Sequence, residues 1–446
     1  MKILCGYNVN IDSVYSISGD EVSYLTRSQD SVEINAKIQY PPNSVNSVSD
    51  FVAGLVLCMQ SGSGAEWLIH EKPVFDFLKN RFFDRSIIRM GGNAGIMANV
   101  MSEIGAELVV PNVVMPSVTQ ISLFSKRTIM LPQSSEPASG CSGELVHFVF
   151  DFRKGETFLL DDTIITVPRE NRFIATYDSA NIELAVNPYF ETYALEHIKE
   201  MDGVLLSGFH MLMDTYPDGS TYVEKLDRAV EQVKTWKRLN SRLRIHAEFG
   251  HFLNRDIAYS VFSKLANHVD CIGMNEDELA MLSGVHGVPA RCILQMDACS
   301  VIDAAIRCAS DFGVRRLMIH TREFVLKVCA ADIAIADPVL ELGSMGFGVK
   351  CAAAFAASGK LVSRKFVEAE ASALNESVFG KEQVRELLDH ISGKQYGSGV
   401  AGEYKGYMFY FLPTILSDDP VATVGLGDTF SSATFLRELE LHKMHA

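Results

Sequence analysis

The stretch VDCIGMNEDELAMLSG, residues 269–284, is a short apolar run that leads directly into a helical pattern. Its three acidic residues, 276–278, stand where the first helical turn would be, and the helix dipole favours acidic side chains there. A strand that runs into a helix is half of a βαβ unit. Repetition of such units builds a parallel sheet that helices cover on both faces.

The segments on either side of this stretch continue the alternation. Strands are predicted in GVLLSGFHML (203–212) and LRIHAEFGH (243–251), and two more in VRRLMIHTREFVLKV (314–328). Helices are predicted in 220–240, with Ser220 as the N-cap, and in VIDAAIRCASDFG (301–313). We therefore expect an α/β domain with a mostly parallel sheet, in which ligands gather beyond the carboxyl ends of the strands.

A second part of the chain has a different pattern. Between about 119 and 204, short β-branched and aromatic runs follow one another without helical segments: RTIMLP (127–132), ELVHFVFDF (144–152), ETFLL (156–160), TIITVP (163–168) and RFIATYD (172–178). We interpret them, with strands from about 12–40, as an antiparallel β-rich lid. The large domain then comprises residues 1–11, part of 41–118, and 205–446, and a cleft separates it from the lid.

The composition limits the class of partner. The 446 residues are 48% hydrophobic and 21% charged, which suits a folded protein with a large core. A formal charge of −15 argues against a nucleic-acid partner. The nine cysteines form no CxxC pair, the N-terminus does not resemble a signal peptide, and no apolar run is long enough to span a membrane. We expect a cytoplasmic monomer or small homo-oligomer without a membrane partner.

The turn TVGLGDTFSS, residues 423–432, is the first candidate for chemistry. Gly425 and Gly427 on either side of Leu426 let the backbone approach a ligand, and the helix that follows would hold an anion at its N-terminus. Asp428 then has two interpretations. It could cap the helix, or it could act as a general base while the backbone amides stabilise a transferring phosphoryl group.

Two acidic clusters follow neighbouring strands. Asn275 and Glu278 are three residues apart on one helix face, and their oxygen atoms suit Mg²⁺, although a favourable first turn explains the same acids. His246 and Glu248 alternate onto one side of a strand, where they could contact a magnesium-bound phosphate. A structural role for His246 is an open alternative, and we expect His251 to be structural.

Near the N-terminus, GYNVNID (6–12) places Asn10 and Asp12 on one side of the chain, where they could bind sugar hydroxyls. In RMGGNAGIMANV (89–100), Gly91, Gly92 and Asn93 let the backbone approach a polar ligand. This turn lacks the dinucleotide fingerprint, and the chain contains neither a P-loop nor the protein-kinase signatures.

Taken together and in this order, the Asn-x-Asp, GG-N and GxGD motifs resemble those of ribokinase-type sugar kinases. The HxE of residues 246–248 and the NxxE of residues 275–278 narrow the resemblance to the ADP-dependent sugar kinases of archaea, the phosphofructokinase and glucokinase family. The resemblance covers essentially the whole chain. It implies a ribokinase-like, Rossmann-type core, a β-sheet lid, ADP as co-substrate and Mg²⁺ as cofactor.

The resemblance also implies roles for single residues. Asp428 would be the base, in an anion hole formed by Gly425, Leu426 and Gly427. Other roles follow by group: Glu278 and Glu248 for the metal; Asn275, His246, Val424 and the lid cation Arg172 for the nucleotide and its phosphates; Asn10, Asp12, Gly91, Gly92 and Asn93 for the sugar. A lid-internal salt bridge is the alternative for Arg172.

The identity of the sugar is less determined. Fructose 6-phosphate needs cations, for which Arg153 and Lys154 are lid candidates, although surface charge explains both. Glu66 in SGSGAEWL resembles the sugar-binding acid of the glucokinase members. We expect a phosphofructokinase with possible glucokinase activity, and an ADP-dependent glucokinase is the alternative.

Three other classes compete with this expectation. An ATP-dependent ribokinase-type enzyme would not need the HxE and NxxE pair. A non-catalytic sugar or nucleotide sensor should have lost Asp428 or Glu278, and both are present. A dinucleotide-dependent oxidoreductase would carry the fingerprint that is missing here.

Overall fold

The structure is a computed structural model that describes residues 1–132, 143–283, 288–333 and 337–445. The strands in these ranges are β1 (Lys2–Gly6), β2 (Asn10–Ser16), β3 (Ser44–Val45), β4 (Ala65–Ile69), β5 (Ile87–Gly91), β6 (Leu108–Pro111), β7 (Val146–Phe152), β8 (Thr157–Leu160), β9 (Thr163–Thr166), β10 (Asn171–Tyr177), β11 (Gly203–Leu206), β12 (Arg244–Glu248), β13 (Cys271–Asn275), β14 (Arg316–His320), β15 (Phe324–Ala330), β16 (Asn375–Glu376), β17 (Lys394–Tyr396), β18 (Gly399–Tyr404), β19 (Tyr407–Pro413) and β20 (Ile415–Leu416).

The helices in the same ranges are α1 (Gly19–Arg27), α2 (Ser31–Gln39), α3 (Val48–Ser61), α4 (Lys72–Phe82), α5 (Asn93–Glu103), α6 (Val118–Ser122), α7 (Pro188–His197), α8 (Tyr222–Leu239), α9 (Arg255–Leu265), α10 (Glu276–Ser283), α11 (Ala290–Leu294), α12 (Ala298–Phe312), α13 (Pro338–Ser358), α14 (Arg364–Ser372), α15 (Val378–His390) and α16 (Leu426–His445).

The large domain is built on a ten-stranded sheet of order β17-β18-β19-β15-β14-β13-β12-β11-β1-β6. The six strands from β6 to β14 run parallel, and the remaining four pair antiparallel at one edge. Helices α8, α9, α12 and α15 pack on one face, and α5, α13, α14 and α16 on the other. The predicted α/β class with a mostly parallel, doubly covered sheet is confirmed.

The lid is a six-stranded sheet of order β3-β4-β10-β7-β2-β5. Helices α1 to α4 bury one of its faces in a core rich in phenylalanine. Its other face is polar and carries, among others, Asn10, Asp12 and His147.

The lid differs from the prediction in three respects. Its sheet is mixed, because β2 pairs parallel with β7 and β4 parallel with β10. Residues 12–40 supply one strand and two helices, since capping side chains at Ser18 and Asp30 start α1 and α2. Residues 127–132 form no strand of the lid: Ile129 makes an isolated parallel bridge to Val109 of the large sheet.

The points at which the chain crosses from one sheet to the other differ from the predicted domain boundaries. Within 41–118, strands β3, β4 and β5 join the lid sheet, whereas α5 and β6 pack in the large domain. Within 119–204, α7 packs into the large-domain core through Phe190 and Ala194. Local pattern reveals a strand but not its partner strand, so these boundaries depend on tertiary contacts.

Two smaller points concern helices and cysteines. The start of α8 is one residue later than predicted, because Thr221 and Glu224 form a capping box. Contrary to the expectation from the sequence, one helix within the described ranges, α13, is long and apolar enough to cross a membrane, and 61% of that stretch is buried inside the protein. The eight described cysteines are unpaired, and Cys141 lies outside the described residues.

Candidate active site

The GxGD turn brings Asp428 to the start of α16. Gly425 has φ +79°, a conformation that L side chains rarely adopt, and its carbonyl accepts hydrogen bonds from the Thr429 N–H and hydroxyl, at 2.9 and 2.7 Å. The first N–H groups of the helix have no intrahelical partner and are available to an anion. The turn for which the sequence predicts an anion hole therefore starts the helix, and its role as an anion hole stays a prediction.

Asp428 lies inside the first turn, after Leu426 and Gly427, and not at the position that precedes the helix. Its Oδ1 accepts a hydrogen bond from Asn93 Nδ2 at 2.7 Å. Asn93 begins α5 and accepts in turn from Asn8 Nδ2 at 3.2 Å. The side chain is thus held by a residue from a distant part of the chain, which favours the catalytic interpretation over simple capping.

Burial sets the protonation of Asp428. The residue is 8% exposed, and loss of water together with the charges of Glu248 and Asp12 raises its pKa to about 6, although the Asn93 hydrogen bond and His320 act in the opposite direction. A carboxylate with a pKa in this range is ionised at neutral pH and more basic than a surface aspartate. It can accept a proton from a hydroxyl placed beside it.

Glu248 ends β12 between two histidines. It accepts hydrogen bonds from His246 Nε2 at 2.8 Å and His320 Nε2 at 2.7 Å. Burial alone would raise the pKa of this 2% exposed carboxyl, but the two histidines lower it to about 2. A hypothetical Cβ on Gly273 of the next strand would lie 2.1 Å from Glu248 Oε2, so glycine there leaves room for the carboxylate.

The NxxE motif forms a capping box. The Asn275 N–H donates to Glu278 Oε2 at 2.8 Å, and the Glu278 N–H donates to Asn275 Oδ1 at 2.9 Å. The Asn275 oxygen is therefore engaged by the backbone. Burial and the charge of Glu248 raise the pKa of Glu278 to about 7, against the effect of the Asn275 N–H. Asn275, Glu276 and Glu278 all line the cleft, and Glu278 is the carboxylate of the NxxE pair there.

These groups line one cleft of about 800 Å³. Glu248, Glu278 and Asp428 lie on one side of it, with the glycine turn, while α13 supplies an apolar wall through Val349 and the alanines at 352, 353 and 356. Residues 414–418 also line the cleft. A carboxylate end joined to an apolar slot suits a ligand with a flat base and a phosphate chain.

The polar face of the lid carries the predicted sugar residues. Asn10 Nδ2 donates to Asp12 Oδ1 at 2.9 Å, and a Cβ on Gly91 would lie 2.1 Å from that same oxygen. Gly92 has φ +74° and starts the turn into α5. Glu66 Oε1 accepts from the Thr176 hydroxyl at 2.6 Å. The structure thus places Asn10, Asp12, Glu66 and the GG-N turn on or beside one face.

Two histidines that the sequence analysis did not select belong to the candidate site. His147 lies 3.1 Å from Asp178 and 3.8 Å from Glu66; burial disfavours its charge, but these carboxylates raise its pKa to about 9. His320 lines the cleft, and Glu248 and Glu278 raise its pKa to about 9 against burial. A histidine at the end of a buried strand is the signal that could have identified His320, in LMIHT.

The sequence of the whole chain is similar to that of a known kinase family. The family model described as "ADP-specific Phosphofructokinase/Glucokinase conserved region" matches residues 1–437. The chain belongs to this family. It is 28% identical to an ADP-specific phosphofructokinase of Pyrococcus furiosus, over 100% of this chain and 98% of that one. It is also 28% identical to an ADP-dependent glucose/glucosamine kinase of the same organism, over 98% and 94%.

A solved structure agrees with the fold. It is an ADP-dependent kinase in complex with fructose 6-phosphate and ADPβS, with a TM-score of 0.79 and 26% identity, and the alignment covers 98% of this chain and 93% of that one. The ribokinase-like sugar kinase scaffold inferred from the motifs is therefore confirmed for this family member.

Three residues predicted for the nucleotide and its phosphates do not line the cleft. Among the described residues that line it, His246, Val424 and Arg172 are missing, although Thr423 and Gly425 on either side of Val424 are present. His246, in β12 of the large domain, is buried against Phe435 and hydrogen-bonded to Glu248. Arg172 lies 3.7 Å from Asp151, and these two residues belong to the lid. Their positions favour the structural alternative for His246 and the lid-internal salt bridge for Arg172.

The remaining differences concern charges at the rim. Arg153 and Lys154 are exposed on the turn after β7, where surface charge explains them. His251, expected to be structural, is exposed and lines the cleft, as does Arg322. Sequence spacing could not separate these cases, because it does not show which loops the fold directs toward the cleft.

Proposed function

We propose that this protein is an ADP-dependent sugar kinase that transfers the β-phosphoryl group of ADP to a sugar hydroxyl and releases AMP. Its preferred acceptor is fructose 6-phosphate, which becomes fructose 1,6-bisphosphate, and glucose is a possible second acceptor. The observation that carries the proposal is Asp428, buried beside an anion-binding turn and hydrogen-bonded to Asn93. The names of the relatives support the same reaction.

The proposed chemistry follows from position and charge. The sugar lies between Asp12 on the lid and Asn93 at the start of α5, so that one hydroxyl reaches Asp428. Asp428 accepts the hydroxyl proton as the oxygen attacks the β-phosphorus in line with the leaving AMP. The N–H groups of the turn at Gly425–Gly427 stabilise the charge on the transferring group.

The residues present fit a magnesium ion. Among the described residues, no three His, Cys, Asp or Glu side chains are arranged to hold a metal by themselves. Mg²⁺ keeps most of its waters and binds through one or two carboxylates plus substrate phosphates, which Glu248 and Glu278 in the phosphate end of the cleft can provide. When bound, the ion would neutralise charge on the phosphates of ADP.

The sugar preference is the finer part of the proposal. Equal identity to a phosphofructokinase and a glucokinase does not separate the two substrates. On the lid face, His147 with its pKa near 9 and Arg89, 3.8 Å from Asp12, are cations that could accept a sugar phosphate. Glu66, also on this face, is the group that suits an uncharged sugar hydroxyl.

A coupled assay tests the reaction. Purified protein is incubated with Mg²⁺, either fructose 6-phosphate or glucose, and either ADP or ATP, and AMP, ADP and the sugar product are quantified. We expect AMP and sugar phosphate only with ADP, and a higher kcat/KM for fructose 6-phosphate. Turnover with ATP alone would favour the ribokinase-type alternative, and sugar binding without turnover would favour a sensor.

A Glu66→Ala variant tests the sugar proposal. Loss of the Glu66 carboxylate should reduce kcat/KM for glucose, because a glucose hydroxyl loses its hydrogen-bond acceptor. Activity with fructose 6-phosphate should survive, because a carboxylate is not a partner for a phosphate. Thr176→Val is the matched control, since it removes the partner of Glu66 and keeps the charge. Unchanged glucose kinetics in Glu66→Ala would remove Glu66 from the sugar site.

We also place the enzyme in the cytoplasm, as a monomer or small homo-oligomer. The unpaired state of the eight described cysteines, most of them buried, supports a reducing compartment.

A further inference from the structure

A buried group of charges lies between the large sheet and two of its helices. Lys327, in the middle of β15, donates to Glu341 Oε2 of α13 at 2.8 Å and also contacts Glu438 of α16. Arg316 Nη2 lies 4.0 Å from the other oxygen of Glu341 and donates to the Ile333 carbonyl at 3.2 Å. We call these four side chains the Lys327 cluster.

The Lys327 cluster is remote from solvent and from the chemistry. The side chains of Lys327 and Glu341 are 1% and 0% exposed, and none of the four residues is among the described residues that line the cleft. Removing ions from water is costly, and well-packed apolar side chains often stabilise a fold as well as a buried ion pair does. Stability alone therefore does not account for the cluster, and its position needs a separate explanation.

Helices α13 and α16 pack closely at Gly348, between the cluster and the end of the two helices that carries the anion-hole turn. A Cβ on Gly348 would lie 2.1 Å from Thr434 Oγ1 and 2.7 Å from the Phe430 carbonyl oxygen, so the two backbones nearly touch there. Glu341 lies seven residues before Gly348, and Phe355, which lies 3.9 Å from the Cβ position of Gly425, lies seven residues after it. We call the parts of each helix on either side of this contact its arms, and each arm of α13 is therefore about 10 Å long.

The two arms end at different parts of the molecule. At one end, Lys327 bridges Glu341 and Glu438. At the other end, α13 carries the apolar wall of the cleft and α16 begins with the anion-hole turn and Asp428. Because both helices are stiff over this length, a rotation about the contact at Gly348 displaces the two ends by similar amounts in opposite directions.

We propose that Lys327 is a positioning residue: by joining Glu341 to Glu438 it sets the angle between α13 and α16, and so aligns the nucleotide wall with the anion hole and Asp428. The inference rests on the proposed function for its kinetic consequences. A displacement of about 1 Å between reacting groups can reduce a rate by about 10²-fold, so a small change of this angle is sufficient to affect turnover.

The test separates alignment from stability. Lys327→Met alone leaves an unbalanced buried carboxylate, so we expect a lower Tm. The double variant Lys327→Met/Glu438→Leu removes one charge of each sign, leaves Arg316 with Glu341, and should recover most of the Tm. We expect the double variant to retain a KM for the sugar near that of the wild type, with a kcat lowered at least tenfold and a weaker affinity for AMP measured by calorimetry.

A second pair on the same helix is the control. Lys443, near the end of α16, forms an ion pair with Asp202 at 3.2 Å that does not involve α13. Lys443→Met/Asp202→Asn should leave kcat and AMP affinity unchanged. If the first double variant does not fold, Glu438→Gln alone, at a residue 14% exposed, should show a smaller fall in kcat without loss of Tm.

Wild-type kcat and AMP affinity in either folded variant of the Lys327 cluster would overturn the inference. AMP binding makes the two proposals distinguishable. If the wild type transfers no phosphoryl group from ADP but the double variant still loses AMP affinity, the proposed function fails and the positioning role of Lys327 stands.

Discussion

Asp428 shows how one side chain depends on two distant parts of the chain. The glycine turn before it leaves N–H groups available to an anion, and Asn93, at the start of another helix, fixes the direction of its carboxylate. Burial then raises its pKa to about 6. A capping residue would need only its own helix, so the contact with Asn93 is the feature that favours a base.

Replacing Asp428 by asparagine should abolish most of the turnover. Asparagine has nearly the same shape but cannot accept the proton, and one general base typically contributes about 10²–10⁴-fold to the rate. We expect kcat to fall by that factor while calorimetric affinities for ADP and sugar change little. The exposed Asp419→Asn is the control, and a kcat near that of the wild type in Asp428→Asn would exclude the base role.

The pH dependence of kcat/KM should have an acidic limb from the same residue. Asp428 can accept a proton only when it is ionised, so activity should be complete above its pKa and be lost as the pH falls through about 6. The Asn93 hydrogen bond lowers this pKa, and Asn93→Ala should therefore move the limb to higher pH. A limb that does not move in this variant would assign it to another group.

At the scale of elements, the strand ends bring the charges together. Strands β12, β13 and β14 are adjacent and parallel, so Glu248, Asn275 and His320, at or near their carboxyl ends, meet at one edge of the sheet. The central strand lies between the other two, and its Gly273 has no side chain to displace the Glu248 carboxylate. The pairing of these strands, and not the motifs alone, orients the proposed metal carboxylate.

Gly273→Ala should therefore disturb the site without removing any of its polar groups. The new Cβ would lie 2.1 Å from Glu248 Oε2 and 2.8 Å from His246 Nε2, so the carboxylate must move. We expect half-maximal activity to require at least a tenfold higher Mg²⁺ concentration, and we expect a lower Tm. Gly343→Ala is the control, because its Cβ meets no atom within 4 Å and alanine favours a helix by about 1 kcal/mol. Wild-type Mg²⁺ dependence in Gly273→Ala would show that the position of Glu248 is not critical.

At the scale of the molecule, the proposed sugar site has two halves. Asp12 and Glu66 belong to the lid, and Asp428 belongs to the large domain, while Asn93 starts the helix that follows β5, an edge strand of the lid. A ligand that contacts both sheets binds more strongly when they approach each other. Each sheet has its own hydrophobic core, so such a movement changes the position of the lid relative to the large domain and not the packing inside either part.

Small-angle X-ray scattering should detect this closure. In the Asp428→Asn variant, which prevents turnover, we expect the radius of gyration to decrease when ADP, Mg²⁺ and fructose 6-phosphate are all present. ADP alone should have a smaller effect, because it contacts mainly the large domain. Equal values with and without both ligands would show that the free protein is already closed.

The sequence by itself determined the α/β class, the existence of a β-rich second sheet and the family, since these depend on local periodicity and on motifs such as GxGD, HxE and NxxE. It also predicted Asp428, Glu248 and Glu278 as site residues, because glycine turns and the ends of apolar strands can be recognised in the local sequence. The tertiary structure decided the rest. Contacts between residues far apart in sequence determine the partners of β3, β4 and β5, the buried position of His246, the carboxylate partners of His147, and the Lys327 cluster. Local pattern carries no physical signal for such contacts.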